Sequence, residues 1–511
     1  MKKLIIFITS ALISNSVFSI DLEKAHLSEI QTAIKNKEIT SEQLVKFYLK
    51  RIENYNKENI NAIITVNENV LKSAKEWDKS GNKDLLLGGI PFLVKDNYNV
   101  VHQPNTAGST ALKQNVADYD ATVVKLLKQN GAIVLGRTNM SELAASYGRF
   151  GYSSLAGQTL NPLNPQRDPS GSSSGSAAAV AAHFAPFALG TDTTGSIRGP
   201  ASVTGLVGYR PSMGVTSRVG VVPLSLTFDT TGPLVRSVED LALIMDVIAK
   251  KDEADQASVF YYQHQPSPKF SDSLQSASLK GKRLGFITNY SGANSEVDTI
   301  LGQAVSRLKQ QGADIIDIQL PSDMAFSGAS ISSFIIGSEF KSQLEAHLSS
   351  NNAPINLADV VKTLKADTQN PHPINPKRLA ALENAISNND LSGSKYISLL
   401  NQVMPDFREK LNAIRMQHRL DGFVFATRPC PAAPLPGYPS NGYQCQSKDL
   451  LEAGYIASML GYPEVSIPAG LTKSNIPVSL SFLGGFGEDV EMVKLGYAFE
   501  KIAGFSAQNR L

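Results

Sequence analysis

The chain has 511 residues, of which 42% are apolar and 18% are charged, and its formal net charge is +2. This apolar content is ample for a large buried core, and the charge content is low for a soluble protein. No basic run stands out in the body of the chain, so electrostatics gives no reason to expect nucleic acid as a partner.

The first residues have the pattern of a secretory signal peptide. Lys2 and Lys3 form a short basic region, the stretch from Leu4 to Leu12 is mostly apolar, and Val17 and Ser19 suit cleavage by a signal peptidase. The apolar stretch is shorter than the roughly 20 residues that span a bilayer. We therefore expect a signal peptide over residues 1–19 and an exported protein, periplasmic or secreted, with no membrane span. A disordered or membrane-anchoring leader is the alternative.

Helical and strand patterns alternate through the first part of the chain. Apolar residues recur at helical spacing over residues 27–34 and 44–52, which predicts two helices. The apolar run Ile90–Val94 predicts a buried strand that ends in a charged tip. Residues 121–129 predict a helix, and residues 132–136 predict a second strand. This alternation is typical of an α/β protein.

Two polar segments that contain glycine follow. Residues 165–176 are rich in Pro, Gly and Ser, and they lead into an alanine-rich helix predicted over residues 177–184. A short strand predicted at residues 187–189 then runs into the polar loop 190–198. Loops held between apolar elements are where rigid scaffolds carry functional residues.

Beyond about residue 240 the patterns weaken. Residues 251–278 have the composition of a linker, and residues 325–420 are predicted to be mostly helical. A strand pattern returns at Val465–Pro468, and a helical pattern returns near residues 488–502.

The chain contains two cysteines, Cys430 and Cys445, in a segment rich in Pro, Gly and Tyr. In an oxidising compartment they could form one local disulfide. Two unrelated loop thiols are the alternative, and the sequence leaves both open. With no histidine pair nearby, they do not favour a zinc site.

The segment Gly171–Gly175 satisfies the G-x-S-x-G pattern of a nucleophile elbow, but its context does not fit. An elbow needs a strand that leads into the serine, and the preceding Arg167–Ser170, with its proline, cannot be a buried central strand. That mechanism also needs a histidine base, and none of the seven histidines has an informative setting. We therefore reject the elbow.

A second interpretation combines Lys95 at a strand tip, the serines at 172–174 and Ser196. A serine hydroxyl is a poor nucleophile until a base takes its proton. A lysine can act as that base when desolvation lowers its pKa far enough to leave it neutral. Lys95 follows four apolar residues, so burial is plausible. The alternative for Lys95 alone is an ordinary ion pair, for example with Asp96.

The loop Thr193–Ser196 can turn several backbone N–H groups toward one point, as an oxyanion hole requires. A phosphate-binding loop or a plain turn is the alternative. Neither G-x-x-x-x-G-K-[ST] nor G-x-G-x-x-G is present, which argues against nucleotide binding.

Taken in order, these segments resemble the amidase signature family. The Ser-rich form of the first signature segment resembles the branch that contains bacterial peptide amidases. The likeness covers residues of about 25–240 and 450–500, and it leaves 321–420 unmatched. The matching segments are Gly88–Asp96, Gly136–Met140, Asn161–Pro162, Gly171–Ala182, Gly190–Arg198, Gly208–Pro211, Asp229–Pro233, Gly461–Gly470 and Leu483–Gly484.

The resemblance implies a catalytic triad in which Ser196 is the nucleophile, Ser172 the bridging serine and Lys95 the distal base. It implies a cis peptide bond between Gly171 and Ser172, a hydrogen bond from Ser173 to Lys95, and no metal or organic cofactor. The oxyanion would be received by backbone N–H groups of Thr193, Thr194, Gly195 and Ser196.

For the fold, the resemblance implies one α/β amidase domain over residues 20–511, with a large central twisted mixed β-sheet covered by helices on both faces. Residues 250–420 are expected to form an elaboration over the active-site mouth that shapes substrate choice. The implied activity is hydrolysis of carboxamide C–N bonds through an acyl-enzyme. The expected substrates are C-terminal peptide amides or small primary amides.

Several alternatives stay open at this point. They are hydrolysis of aryl-acyl amides, fatty-acid amides or esters, the amidase-type subunit of glutamyl-tRNA amidotransferase, and a secreted binding protein on an inactive amidase scaffold. The sequence also departs from the common pattern, because Ser170, Ser174 and Thr194 stand where the family usually has glycine. Thr194 matters most, since β-branched residues disfavour a positive φ.

Overall fold

The computed structural model describes residues 20–82, 84–387, 390–440 and 442–505. The predicted signal peptide, residues 1–19, lies outside them. The strands are β1 (Ile63–Val66), β2 (Pro91–Lys95), β3 (Ile133–Thr138), β4 (Tyr152–Ser153), β5 (Gly157–Gln158), β6 (Ala188–Asp192), β7 (Val207–Arg210), β8 (Thr230–Val235), β9 (Arg283–Ile287), β10 (Asp314–Ile318), β11 (Gly422–Ala426), β12 (Glu464–Leu471) and β13 (Pro477–Leu483).

The α-helices of the described residues vary from single turns to one of 23 residues. They are α1 (Leu27–Lys35), α2 (Ser41–Tyr55), α3 (Val70–Ser80), α4 (Thr122–Gln129), α5 (Ser174–Ala181), α6 (Arg198–Thr204), α7 (Val238–Ile248), α8 (Gln256–His264), α9 (Ser295–Gln310), α10 (Ser322–Phe326), α11 (Gly328–Ser350), α12 (Leu357–Ala366), α13 (Pro376–Ser387), α14 (Ser394–Ser398), α15 (Met404–His418), α16 (Tyr455–Leu460) and α17 (Asp489–Ala503). No helix in this part of the chain is both long and apolar enough to cross a membrane.

One sheet of eleven strands runs through the molecule, in the order β1-β3-β2-β6-β8-β7-β12-β13-β11-β9-β10. The strands from β6 to β11 in this order pair antiparallel. Parallel trios lie on either side, β3-β2-β6 and β11-β9-β10. The antiparallel strand β1 closes one edge. With helices on both faces, this confirms the predicted mixed-sheet α/β fold.

Strands β2 and β6 position the polar loops. They are parallel neighbours, with Leu93 opposite Ala188, so both end at the same edge of the sheet. The rings of Phe92 and Phe187 stack 5.3 Å apart, and both are fully buried, which fixes the two strands side by side. The side chain of Lys95 and the loop that follows Asp192 therefore emerge next to each other.

Most elements predicted before residue 240 are observed with small shifts. The helix predicted at 177–184 begins earlier, at Ser174, and the strand predicted at 187–189 continues to Asp192. The capping box of Thr40 and Gln43 is present at the start of α2.

The prediction that residues 251–278 form a linker is wrong over α8. The side chain of Asp255 caps this helix by accepting from the Ala257 N–H, and Tyr261 is buried beneath it. Strands β7–β11 and β13 were not predicted, because short strands that contain Gly, Pro or charged residues lack a clear alternating pattern.

Cys430 and Cys445 form a disulfide, with Cα atoms 5.7 Å apart. This settles the pairing that the sequence left open.

Candidate active site

Lys95 ends β2 and is fully buried. Its Nζ donates to Ser172 Oγ at 2.8 Å and to Thr191 Oγ1 at 2.7 Å. No carboxylate among the described residues forms a salt bridge with it. The alternative of an ion pair with Asp96 is wrong, because Asp96 Oδ1 accepts from Arg137 Nε at 2.6 Å.

Burial lowers the pKa of Lys95 to about 7, although the negative charges of Asp229 and Asp192 oppose the shift. A lysine with a pKa near 7 is neutral in a large fraction of molecules at physiological pH. Lys95 is thus able to accept a proton through the hydroxyl that it contacts, and that hydroxyl belongs to Ser172.

The loop before α5 presents Ser172 to Lys95. The peptide bond between Gly171 and Ser172 is cis, as the resemblance implies. Gly171 is closely enclosed, since a Cβ there would lie 2.5 Å from Ser141 Oγ. The Ser141 N–H also donates to the Ser172 carbonyl at 3.1 Å, so this loop is held from the side of β3.

Asp168 anchors the same loop from the other end. One carboxylate oxygen accepts from the Ser170 N–H at 2.8 Å, and the other accepts from the Ala433 N–H at 2.6 Å. Arg428 lies 3.4 Å from the carboxylate. Residues close to Cys430 therefore support the segment that leads to Ser172.

The predicted hydrogen bond from Ser173 to Lys95 is wrong. Ser173 Oγ donates to the Thr191 carbonyl at 3.1 Å and accepts from the Thr191 N–H at 3.2 Å. These bonds tie the serine loop to β6, and Thr191 holds Lys95 through its own hydroxyl. Asn97 Nδ2 also donates to that hydroxyl at 3.2 Å.

The loop that carries Ser196 is organised around the buried carboxylate of Asp192. This carboxylate accepts from the backbone N–H groups of Gly195 at 2.8 Å and Ile197 at 3.0 Å. It also pairs with Arg198 at 2.8 Å and Arg210 at 3.1 Å. Burial alone would raise the pKa of Asp192, but these cations and N–H donors lower it well below its usual value.

The predicted oxyanion hole needs one correction. The Gly195 N–H already donates to Asp192, so it is not available to an oxyanion. Within the described residues, the N–H groups of Thr193, Thr194 and Ser196 have no acceptor. The positive φ of this loop, 110°, falls on Gly195 and not on Thr194, so the β-branched residue is accommodated.

Ser196 is 6% exposed and lies next to the serine loop. Its carbonyl accepts from the Ser173 N–H at 3.1 Å, which joins the two loops. Within the part of the chain that the structure describes, the hydroxyls of Ser172 and Ser196 are not hydrogen-bonded to each other. In free enzymes such catalytic bonds often form only when substrate is present.

Sequence reasoning missed three supporting residues, Thr191, Asp192 and Asp229. The first two lie inside the Gly190–Arg198 segment, and Asp229 lies in another matching segment, but spacing alone assigned them no role. Asp229 Oδ1 accepts from Thr193 Oγ1 at 2.5 Å, which steadies the start of the nucleophile loop. Their signal was an unusual density of Thr and Asp beside glycine.

Comparison with known proteins agrees with this arrangement. The family model described as Amidase matches residues 43–493. The structure is similar to that of a peptide amidase from Stenotrophomonas maltophilia, with a TM-score of 0.85 and 31% identity over 96% of this chain and 99% of that one. It is also similar to an amidase family protein from Bacillus anthracis, with a TM-score of 0.83 and 30% identity over 96% and 93%.

Two relatives by sequence are a probable amidase from Arabidopsis thaliana and the amidase-type subunit of the glutamyl-tRNA(Gln) amidotransferase from Halorhodospira halophila. Both are 31% identical, over 95% of this chain and 91% of the first relative, and over 94% and 98% for the second. The fold and the match across the chain define a hydrolase that acts on the C–N bonds of amides. The chain belongs to the amidase family.

Replacing Thr191 by Val should lower kcat while KM changes little, because Lys95 Nζ loses one of its two acceptors. Loss of a buried hydrogen bond costs about 1–3 kcal/mol, which corresponds to a fall in kcat of roughly 5- to 150-fold. Thr191→Ser keeps the hydroxyl and should restore most of the rate. Steady-state kinetics of both variants tests this, and a wild-type kcat in Thr191→Val would contradict it.

The pH dependence of kcat/KM should report Lys95. The base is active when neutral, so the rate should rise with pH through a midpoint near 7 and level off above it, because burial lowers the pKa of Lys95 to about 7. Rates between pH 5 and 9 test this, with the fluorescence of the single tryptophan as a control for folding. A flat profile between pH 6 and 8 would remove Lys95 as the base.

Proposed function

We propose that this enzyme hydrolyses C-terminal peptide amides or small primary amides through an acyl-enzyme on Ser196. The observation that carries the proposal is the buried Lys95, which contacts Ser172 at 2.8 Å and has no carboxylate partner among the described residues. Such a lysine is costly in the folded protein. It is explained if its neutral form is needed as a base.

The geometry supports the following course. Neutral Lys95 takes the Ser172 proton as Ser172 takes the Ser196 proton, and Ser196 Oγ forms a bond to the amide carbonyl carbon. The carbonyl oxygen becomes negative and is received by N–H groups of the Thr193–Ser196 loop. The C–N bond then breaks, and the proton returns through Ser172 to the leaving nitrogen. Ammonia departs, and water hydrolyses the ester on Ser196 by the same steps in reverse order.

The preference for peptide amides rests on the likeness to the Stenotrophomonas peptide amidase, which extends over nearly the whole of both chains. The amidase-type subunit of a glutamyl-tRNA amidotransferase is the second candidate. It is favoured by relatives such as that of Halorhodospira halophila. The corresponding solved structure, from Thermotoga maritima, is less similar, with a TM-score of 0.72 and 26% identity. Hydrolysis of aryl-acyl amides, fatty-acid amides or esters is a further alternative.

Residues 250–420 are proposed to shape the substrate site, and one chain of contacts supports this. Glu339 on α11 accepts from Ser225 Oγ at 2.5 Å. The Ser225 N–H donates to Asp229 at 3.0 Å, and Asp229 in turn accepts from Thr193 in the nucleophile loop. Changes in this helical region would therefore be felt where the amide binds.

The function is tested by ammonia release from amidated peptides, free primary amides and anilides, and by hydrolysis of an ester. We expect wild-type turnover to be highest on amidated peptides or primary amides. Ser196→Ala and Lys95→Ala should lose at least about 10³-fold in kcat, because nucleophile and base act as a unit. Unchanged turnover in Ser196→Ala would overturn the mechanism. Failure of a fluorophosphonate to label wild-type Ser196, with no turnover on any substrate, would instead favour an inactive scaffold.

Export is proposed as well, supported by the leader pattern and by the Cys430–Cys445 disulfide, since disulfides persist in oxidising compartments. The first residue of the mature protein should lie near position 20, as read by N-terminal sequencing of protein recovered from the periplasm or medium of its host. An intact leader on protein found only in the cytosol would contradict export and favour the amidotransferase role.

A further inference from the structure

A surface cavity of about 410 Å³ lies between α8, α15 and the end of α16, and none of the proposed catalytic residues lines it. Helix α16 separates it from the nucleophile loop. Near the start of that helix, a Cβ on Gly454 would lie 3.4 Å from the Thr194 carbonyl oxygen. At the far end, Met459 and Leu460 form part of the cavity wall.

The cavity wall is mostly apolar. Its size is within the range typical of small-molecule sites, which are lined by apolar side chains with a few convergent polar groups. Phe260 is 55% exposed at the mouth, an unusual position for a phenylalanine in water. The large apolar residues of the wall are Met213, Phe260, Met459, Leu460 and Phe486.

Two polar side chains, Arg408 and Asn412, enter this apolar surface from α15. They are one helical turn apart and so share a face of the helix. Tyr462 donates to Asn412 Oδ1 at 3.2 Å, which leaves the amide NH₂ group free to donate elsewhere. Arg408 Nε donates to the Leu460 carbonyl at 3.1 Å, and this bond fixes the guanidinium at the cavity.

Arg408 lacks an anion. None of the described carboxylates lies within salt-bridge distance of it, and both of its Nη groups are without a protein acceptor there. Burial lowers the pKa of Arg408, and the neighbour that opposes this shift is the phenol of Tyr462. By contrast, Arg415 on the same helix pairs with Glu488 at 2.5 Å. A cap on the last carbonyl of α16 would use Nε alone and would not explain the open Nη groups or the apolar wall.

We propose that this cavity is a second binding site, separate from the catalytic serines, for a monocarboxylate with an apolar body. The carboxylate would accept from the Arg408 Nη groups and from the Asn412 amide. The apolar body would cover Met459, Leu460 and Phe486. Charge-assisted, two-pronged bonds of this kind are the preferred mode by which arginine binds a carboxylate. A fatty acid and the free acid of an apolar peptide share this chemistry.

Isothermal titration calorimetry of the full-length protein tests the site with decanoate and with N-acetyl-leucyl-phenylalanine. We expect saturable binding of one molecule of at least one acid, and tighter binding of decanoate than of decanol if the fatty acid is the ligand. Arg408→Gln should weaken binding at least tenfold. Arg415→Gln is the matched control and should bind as the wild type does. Because heat is measured, the result does not depend on amide hydrolysis.

A second variant addresses the apolar wall. Ala257→Leu would fill part of the cavity without changing charge, so it should also weaken binding, while the thermal unfolding midpoint of each variant checks that it is folded. The proposal is overturned if neither acid binds at millimolar concentration. It is equally overturned if Arg408→Gln binds within twofold of the wild type, or if decanol binds as tightly as decanoate.

Discussion

The buried carboxylate of Asp192 is the interaction on which the site depends. It ends β6, accepts from backbone N–H groups of the loop that carries Ser196, and binds two buried arginines. Arg198 in turn pairs with Glu464 on β12, so one charge network joins the nucleophile loop to the antiparallel centre of the sheet. A carboxylate with this many donors stays ionised and fixes the loop before any substrate arrives.

The low pKa of Lys95 follows from how the surrounding charges are distributed. Asp192 is occupied by arginines, and Asp96, the neighbour of Lys95 in sequence, is occupied by Arg137. The two groups that touch the ammonium are hydroxyls, which bind it without adding negative charge. Because these anions are held by partners of their own, little offsets the cost of burying the lysine in its charged form.

The sequence predicted the parts of this protein that depend on local pattern. Lys95 after an apolar run, the serines before an alanine-rich helix and the glycine loop at Ser196 could all be located in the sequence, because each is a short segment with its own composition. The contacts between segments could not. That Ser173 binds Thr191 instead of Lys95, and that Gly195 gives its N–H to Asp192, depend on how β2 and β6 are placed side by side. Strands β9–β11 were missed for the same reason, since their pairing is not local.

The Cys430–Cys445 bridge separates a variable segment from a fixed one. Before it, Ala433 and Arg428 hold Asp168 at the serine loop, and after it, Leu451 and Gly454 lie against the nucleophile loop. Between these stems the tip at residues 436–440 is exposed. A covalent clasp across the stems lets this tip change in length or composition without moving either catalytic loop, because the strain of an insertion ends at the bridge. The tip is therefore a place where homologues can diverge, or where a peptide tag can be inserted, at little cost to the chemistry.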